Sequence, residues 1–315
     1  MIGCSVSRRR FPALLAAAVP AFVFSALILA LCLPGGAEKK TPLAEKDGWA
    51  VARGAPDCAG LTVTVPRSQW LQGALMLASA VHPLPQDYPP PEVRSVRAMV
   101  GGYLPAADRV SLRADVIYAL CAMQCDHSLT GQVFISGGAV SAAQQEALRR
   151  EAFTRYAMVY PVTEAVQRAA AAVPGGNESE HQTGWSVDID LSGPLSMKES
   201  NPLCRNEAGK WMAENLWRYG FVQREGVCEN IHLRYVGPVH AAAMRVLGMN
   251  LEEYLAFLRG EGKVTLLREE RPYAYLLCFP ADGAVSFSVP ERTAYAVSGD
   301  NTGFVVIAIA AQNDF

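Results

Sequence analysis

The sequence has no close Cys-x-x-Cys pair, no surplus of positive charge and no internal repeat, and each absence closes off a class of function. Zinc-thiolate sites need closely spaced cysteine pairs, and the 8 cysteines at positions 4, 32, 58, 121, 125, 204, 228 and 278 supply none. They read as structural residues, paired or buried. A formal net charge of -2 and a pI near 6.2 leave no basic footprint for nucleic acid. Histidine is scarce, with five in 315 residues. One long stretch lacks charge altogether: "FPALLAAAVPAFVFSALILALCLP" runs from Phe11 to Pro34 after the basic "SRRR". Such a run can cross a hydrocarbon layer of roughly 30 Å. It reads as a single-pass membrane anchor, or alternatively as a cleaved secretory signal. Either reading sends the residues from about Glu38 onward out of the cytoplasm.

What is present divides into an N-terminal stub and anchor or signal (1–36), a polar linker (37–60), a main domain (61–262) and a β-rich tail (263–315). "LTVTV" opens the folded region, and the proline-rich "HPLPQDYPPPEV" is an extended loop. "RADVIYALCAMQCD" has apolar residues at helical spacing, and "GQVFISGG" is a buried strand ending in glycines. A helical stretch follows, interrupted near Pro161 and ended by Pro174-Gly175-Gly176. "GWSVDID" alternates as a strand, "AGKWMAENLWRYGF" is helical up to Gly220, and "IHLRYVG" is a short strand. "PVHAAAMRVLGMNLEEYLAFLRG" is helical, and after Lys263 strand-like runs alternate with turn signals. The class is α+β.

The chemistry concentrates in two segments. "SEHQTGWSVDID" sets His181 seven positions before Asp188, and "CENIHLRYVG" adds His232 with Glu229 three positions earlier. Two imidazoles and one carboxylate form a suitable zinc set that leaves a fourth position for water. Glu229 is the candidate general base. Three apart, Glu229 and His232 would lie on opposite faces of a straight strand, so the site requires a turn or bulge between them. Taken alone, each half of this constellation reads first as a structural turn leading into a strand. His82, His127 and His240 read as surface or packing residues.

"SEHQTGWSVDI" resembles the S-x-H-x-x-G-x-A-x-D signature of zinc D-alanyl-D-alanine carboxypeptidases, the bacterial enzymes related to vancomycin-resistance D,D-carboxypeptidases. "ENIHLRYVG" is similar to their E-P-W-H-x-R-Y-V-G, and "WMAENLWRYGF" and "NLEEYL" resemble the helices around it. The likeness spans roughly Leu61 to Gly262. It implies a Hedgehog/D,D-peptidase-like zinc domain, with a small antiparallel sheet flanked by helices. It implies zinc held by His181, Asp188 and His232, with Glu229 as base. Ser179, Gln144 and Ser136 would contact substrate, and the reaction would be hydrolysis of the terminal D-Ala-D-Ala bond of peptidoglycan stem peptides. No obligate protein partner is implied.

The match breaks at one place. The family carries S-G-Y-R-S-x-x-x-Q where this chain has "SGGAVSAAQ", so Gly138 replaces tyrosine and Ala139 the arginine expected to hold the substrate carboxylate. Asn230 and Ile231 replace the Pro-Trp pair. Three readings stay open: another cation, such as Arg149, Arg155 or Arg234, takes over; the substrate has no free carboxylate there, making the protein an endopeptidase; or the domain binds wall peptide without turnover.

Overall fold

The computed structural model describes residues 42–127, 129, 131–192, 201–224 and 231–311, leaving out the side chains of Asp126 and His127. Two short strands, β1 (Pro42–Lys46) and β2 (Trp49–Arg53), come first, followed by β3 (Leu61–Val65) and a single turn, α1 (Arg67–Trp70). After the proline-rich loop come β4 (Arg94–Ser95), α2 (Val96–Val100), β5 (Ser111–Leu112) and α3 (Ala114–His127). The next stretch holds β6 (Val133–Gly137), the antiparallel pair α4 (Ala142–Ala157) and α5 (Val162–Ala172), and β7 (Ser186–Leu191). Then follow α6 (Glu207–Asn215), β8 (Phe221–Arg224), β9 (Ile231–Tyr235), α7 (Pro238–Leu247) and α8 (Leu251–Glu261). Five strands close the chain: β10 (Lys263–Arg268), β11 (Arg271–Pro280), β12 (Val285–Val289), β13 (Tyr295–Gly299) and β14 (Phe304–Ala310).

Local chemistry explains the breaks between helices. Pro161 cannot donate to a preceding turn, so the α4 helix ends and α5 restarts with Pro161 as its N-cap. The long helical stretch expected after Pro238 divides at Gly248, which has φ 66°, and Asn250 caps the new helix by accepting from the Glu253 amide.

Two antiparallel sheets carry the architecture. The smaller has strand order β6-β7-β9-β8 and packs against α3 and α6, with Val187, Ile189, Leu233 and Phe221 fully buried in its core. The larger, of order β1-β2-β10-β11-β14-β13, packs against α7 and α8 around Tyr254, Leu255, Leu266 and Leu276. Residues 42–53, read from the sequence as linker, therefore form two strands of the same sheet as the C-terminal tail. In "WAVAR" the side chains at Val51 and Ala52 are both buried, so this short segment lacks the alternation that marks a half-exposed strand.

The membrane placement inferred from Phe11–Pro34 is corrected. No helix among the described residues is long and apolar enough to cross a membrane. The longest of them, α4, has 16 residues and carries Glu146, Arg149, Arg150, Glu151 and Arg155, against the roughly 20 apolar residues a span requires. The apolar run itself lies outside the described residues. The cysteines at 58, 121, 125, 204 and 278 are free thiols, and Cys228 lies outside the described residues.

Candidate active site

The site is one row of the small sheet. Strand register places Gly137 opposite Asp188, Asp188 opposite His232, and His232 opposite Arg224. Residues directly opposite in antiparallel strands point to the same face, so the row brings Asp188, His232 and Arg224 to one face, with Gly137 leaving room beside Asp188.

The motif spacing follows from the turn before β7. Glu180–Thr183 form one 3₁₀ turn, and Gly184 ends it in the left-handed conformation at φ 71°. The Gly184 amide returns to the His181 carbonyl at 3.1 Å, and β7 then runs back beneath the turn. His181 and Asp188 meet as a result: His181 Nε2 lies 3.1 Å from Asp188 Oδ2. The other Asp188 oxygen, Oδ1, lies 2.7 Å from His232 Nδ1. One potential ligand atom from each of the three residues falls within 4.8 Å of the others. His181 and Asp188 are partly exposed and His232 is buried.

A cation suits this set on two grounds. His181 Nδ1 is buried with no hydrogen-bond partner. His232 Nε2 faces the buried Glu180 Oε2 at 3.1 Å, a carboxylate that can only accept. With the hydrogen on Nε2, the bare lone pair of Nδ1 faces a carboxylate oxygen, and two acceptors at that distance need a shared positive charge. Two imidazoles and a carboxylate are the donors zinc takes. Burial by itself would raise the Asp188 pKa, but the contacts with His181 and His232 outweigh it and hold the carboxyl well below its usual range. The carboxylate is therefore ionised and ready to ligate at neutral pH.

Glycine is required beside this cluster. A Cβ on Gly137 would come within 2.5 Å of Asp188 Oδ2. The register slips between Ile135 and Gly137, leaving Ser136 as an extra residue in β6. Such bulges re-aim side chains beside functional sites. Ser136 Oγ is buried without a partner.

The other residues implied by the resemblance are distributed unevenly. Ser179 is buried directly before the His181 turn. Gln144 is occupied elsewhere, its Oε1 accepting from the Ser141 amide at 2.8 Å in a capping box for α4. Glu229 and Asn230 lie outside the described residues. Of the cations considered for the carboxylate, Arg234 is fully buried and donates to Thr183 Oγ1 and to the carbonyls of Ala74 and Met76. Arg149 pairs with Glu178 at 3.0 Å, and Arg155 stands exposed on α4.

Gly138 and Ala139 have a structural reason as well. A Cβ on Gly138 would lie 2.6 Å from the Ser111 carbonyl oxygen and 2.8 Å from Val110 Cγ1. The Ala139 amide donates to that same carbonyl at 2.8 Å. The segment lies flat against β5, where tyrosine cannot be placed on this backbone.

Sequence reasoning missed a second layer. Glu180 receives Arg224 Nε at 3.1 Å, and Arg224 forks onto both oxygens of Glu252 at 2.7 and 2.6 Å. Burial pushes the Glu180 pKa upward, but His232, Arg234 and Arg224 more than offset it, leaving the group at about 2. Arg113 donates to the Thr183 carbonyl and to Gln72 and lies over the Trp185 ring at 4.5 Å, fixing the turn from outside. The one signal for Glu180 was its place beside His181 in the motif, whereas Arg224 is marked only by its cross-strand position, which needs the register. A cavity of about 410 Å³, walled by Trp185, Tyr235, His240 and Tyr295, is separate from the metal-type cluster.

Residues 109–238 match the family model described as VanY, D-alanyl-D-alanine carboxypeptidase. A D-alanyl-D-alanine carboxypeptidase of Enterococcus faecium is 26% identical over 260 residues, covering 78% of this chain and 78% of the relative. Another from Enterococcus faecalis (strain ATCC 700802 / V583) is 34% identical over 154 residues, 45% of this chain and 49% of the relative. Among solved structures, the vancomycin resistance D,D-dipeptidase VanXYg in complex with a D-Ala-D-Ala phosphinate analog superposes with TM-score 0.65 at 21% identity, over 79% of this chain and 98% of that one. That last likeness establishes the fold. Strands β6, β7 and β9, and the turn that carries His181, all lie inside the segment that matches the VanY D-alanyl-D-alanine carboxypeptidase family model.

Proposed function

We propose that the protein is a zinc-dependent D-alanyl-D-alanine carboxypeptidase that removes the terminal D-Ala of peptidoglycan stem peptides. The observation that carries this reading is the convergence of His181, Asp188 and His232, whose potential ligand atoms lie within 4.8 Å of one another. When bound there, zinc would supply Lewis-acid polarisation of the scissile carbonyl and a lowered pKa for the attacking water. His181, Asp188 and His232 would hold the ion. Glu229, two residues before β9, takes the proton from water and delivers it to the departing amine of D-Ala. Ser179 and the unpartnered Ser136 hydroxyl are the proposed substrate contacts. Gln144 contributes only if its capping bond to Ser141 is released.

A second reading rests on Ala139. Without a guanidinium there, a substrate lacking a free carboxylate at that point, such as a cross-linked stem, fits as well, and the chemistry becomes that of an endopeptidase. Incubating the purified protein and zinc with a stem pentapeptide, a tetrapeptide and cross-linked muropeptides, with products read by mass, separates the readings. D-Ala released from pentapeptide alone supports the carboxypeptidase, and cut cross-links support the endopeptidase. No product from any substrate, with zinc bound, defeats both and leaves a wall-peptide-binding protein.

A further inference from the structure

His232 sits between two carboxylates, and one of them has no reason to be there if its only duty is to pack. Glu180 is buried to 5% exposure inside the 3₁₀ turn that also carries His181. Its two oxygens divide their partners: Oε2 faces His232 Nε2 at 3.1 Å and accepts from Ser186 Oγ at 3.4 Å, while Oε1 accepts from Arg224 Nε at 3.1 Å. Arg224 is the residue opposite His232 in the sheet, and its terminal nitrogens form a bidentate fork onto Glu252 of α8. The chain His232–Glu180–Arg224–Glu252 thus ties the imidazole to a second sheet strand and to a helix of the other core.

We propose that Glu180, braced by Arg224 and Glu252, is the positioning residue for His232: it holds the ring with its hydrogen on Nε2 and turns Nδ1 toward Asp188. An ionised carboxylate accepts and cannot donate, so a nitrogen facing it is the one that carries hydrogen. Carboxylate partners behind a histidine ligand set its tautomer and ring direction, and their loss typically weakens metal binding about 10–100-fold. The fork between Arg224 and Glu252 keeps Glu180 from turning, because a planar guanidinium gripping a carboxylate at two points has one orientation. A competing role for Glu180, neutralising the half-buried Arg224 and the buried Arg234 alone, would affect folding stability without touching His232. The inference rests on His232 being a metal ligand.

The test measures zinc affinity of the full chain by competition with a chromophoric chelator, and the His232 tautomer by long-range proton–nitrogen NMR of the metal-free protein. Wild type is expected to carry the His232 hydrogen on Nε2. Glu180→Gln, which preserves shape, is expected to bind zinc about 10–100-fold more weakly, with Glu180→Asp recovering part of the loss. Glu252→Gln, at the outer end, gives a smaller loss. A folded Glu180→Gln protein that binds zinc within about twofold of wild type, or a wild-type ring with its hydrogen on Nδ1 and none on Nε2, overturns the proposal. Should Glu180→Gln fail to fold, Arg224→Lys and Glu252→Gln carry the test, and undiminished affinity in both overturns it. Wild type that takes up no zinc defeats the ligand assignment instead, and the tautomer measurement then decides the orientation claim alone.

Discussion

Replacing Ala139 with arginine tests whether the chain lacks a carboxylate clamp or has moved it. The Ala139 backbone is held by its amide bond to the Ser111 carbonyl at 2.8 Å, and the side chain is half-buried, so an added guanidinium has an anchored base. A hydrogen bond to a charged group contributes about 1.5–3 kcal/mol, and each 1.4 kcal/mol is tenfold in rate. Ala139→Arg should therefore raise kcat/KM for D-Ala release from a stem pentapeptide by roughly 10–150-fold. Gly138→Tyr should behave differently, because its Cβ would meet the Ser111 carbonyl at 2.6 Å and Val110 at 2.8 Å. A backbone oxygen cannot step aside as a flexible side chain does. Overpacking of that kind costs about 1–3 kcal/mol, a fall of roughly 2–10 °C in Tm. The assay pairs the kinetics with thermal melts of both variants. A well-folded Ala139→Arg protein with unchanged kcat/KM would show that another group already holds the carboxylate. An unaltered Tm in Gly138→Tyr would refute the packing argument.

Three further outcomes follow from the structure. His240 is buried against Tyr254, with Nδ1 2.9 Å from the hydroxyl, and burial lowers its pKa from 6.5 to about 4. The folded state keeps it neutral while the unfolded chain takes up the proton first. Its contribution is thus complete above pH 6.5 and is lost as pH falls toward 4, by roughly 3 kcal/mol in all. His240→Gln should lose less Tm than wild type across that window, and parallel pH–melting curves would contradict it. Gly137→Ala places a carbon 2.5 Å from Asp188 Oδ2. Chelator competition should show weaker zinc binding there, and undisturbed affinity would mean that Asp188 is not held by this close approach. Arg234→Leu removes three inter-segment anchors to Thr183, Ala74 and Met76 and leaves Glu180 less compensated. The expected loss is about 3–5 kcal/mol by denaturant unfolding, and a loss below about 1 kcal/mol would make the network dispensable.

The fold was legible where periodicity and punctuation agree. Leu61–Val65, the strand through Asp188 and the helix broken at Pro161 carry their own signals and appear where those signals place them. The segment 42–53 did not, because its two strands are short, separated by an Asp47-Gly48 turn, and stabilised by pairing with β10 more than two hundred residues away. β13 was hidden for a similar reason: "YAVSG" is brief and lies on a sheet edge beside β14. At the site, His181, Asp188 and His232 could be chosen because two segments together offer a zinc-type donor set and resemble one family signature in order. Glu180 and Arg224 could not, since a lone glutamate or arginine in sequence usually faces water. The row Gly137–Asp188–His232–Arg224 turns Arg224 inward, and the 3₁₀ turn before β7 brings Glu180 onto it. The bulge at Ser136 and the flat approach of Gly138 to β5 depend on register, which a single strand does not encode alone.

Zinc content of the purified protein, set beside that of Asp188→Ala, is the most direct measurement of the central claim. Asp188 is the member that touches both imidazoles, at 3.1 and 2.7 Å, so its removal should empty the site while the sheet core stays folded. The account predicts one zinc per chain in wild type and a loss of at least about 100-fold in affinity in the variant. Wild type without stoichiometric zinc, or a variant that retains it, would contradict the assignment of this row as a metal centre.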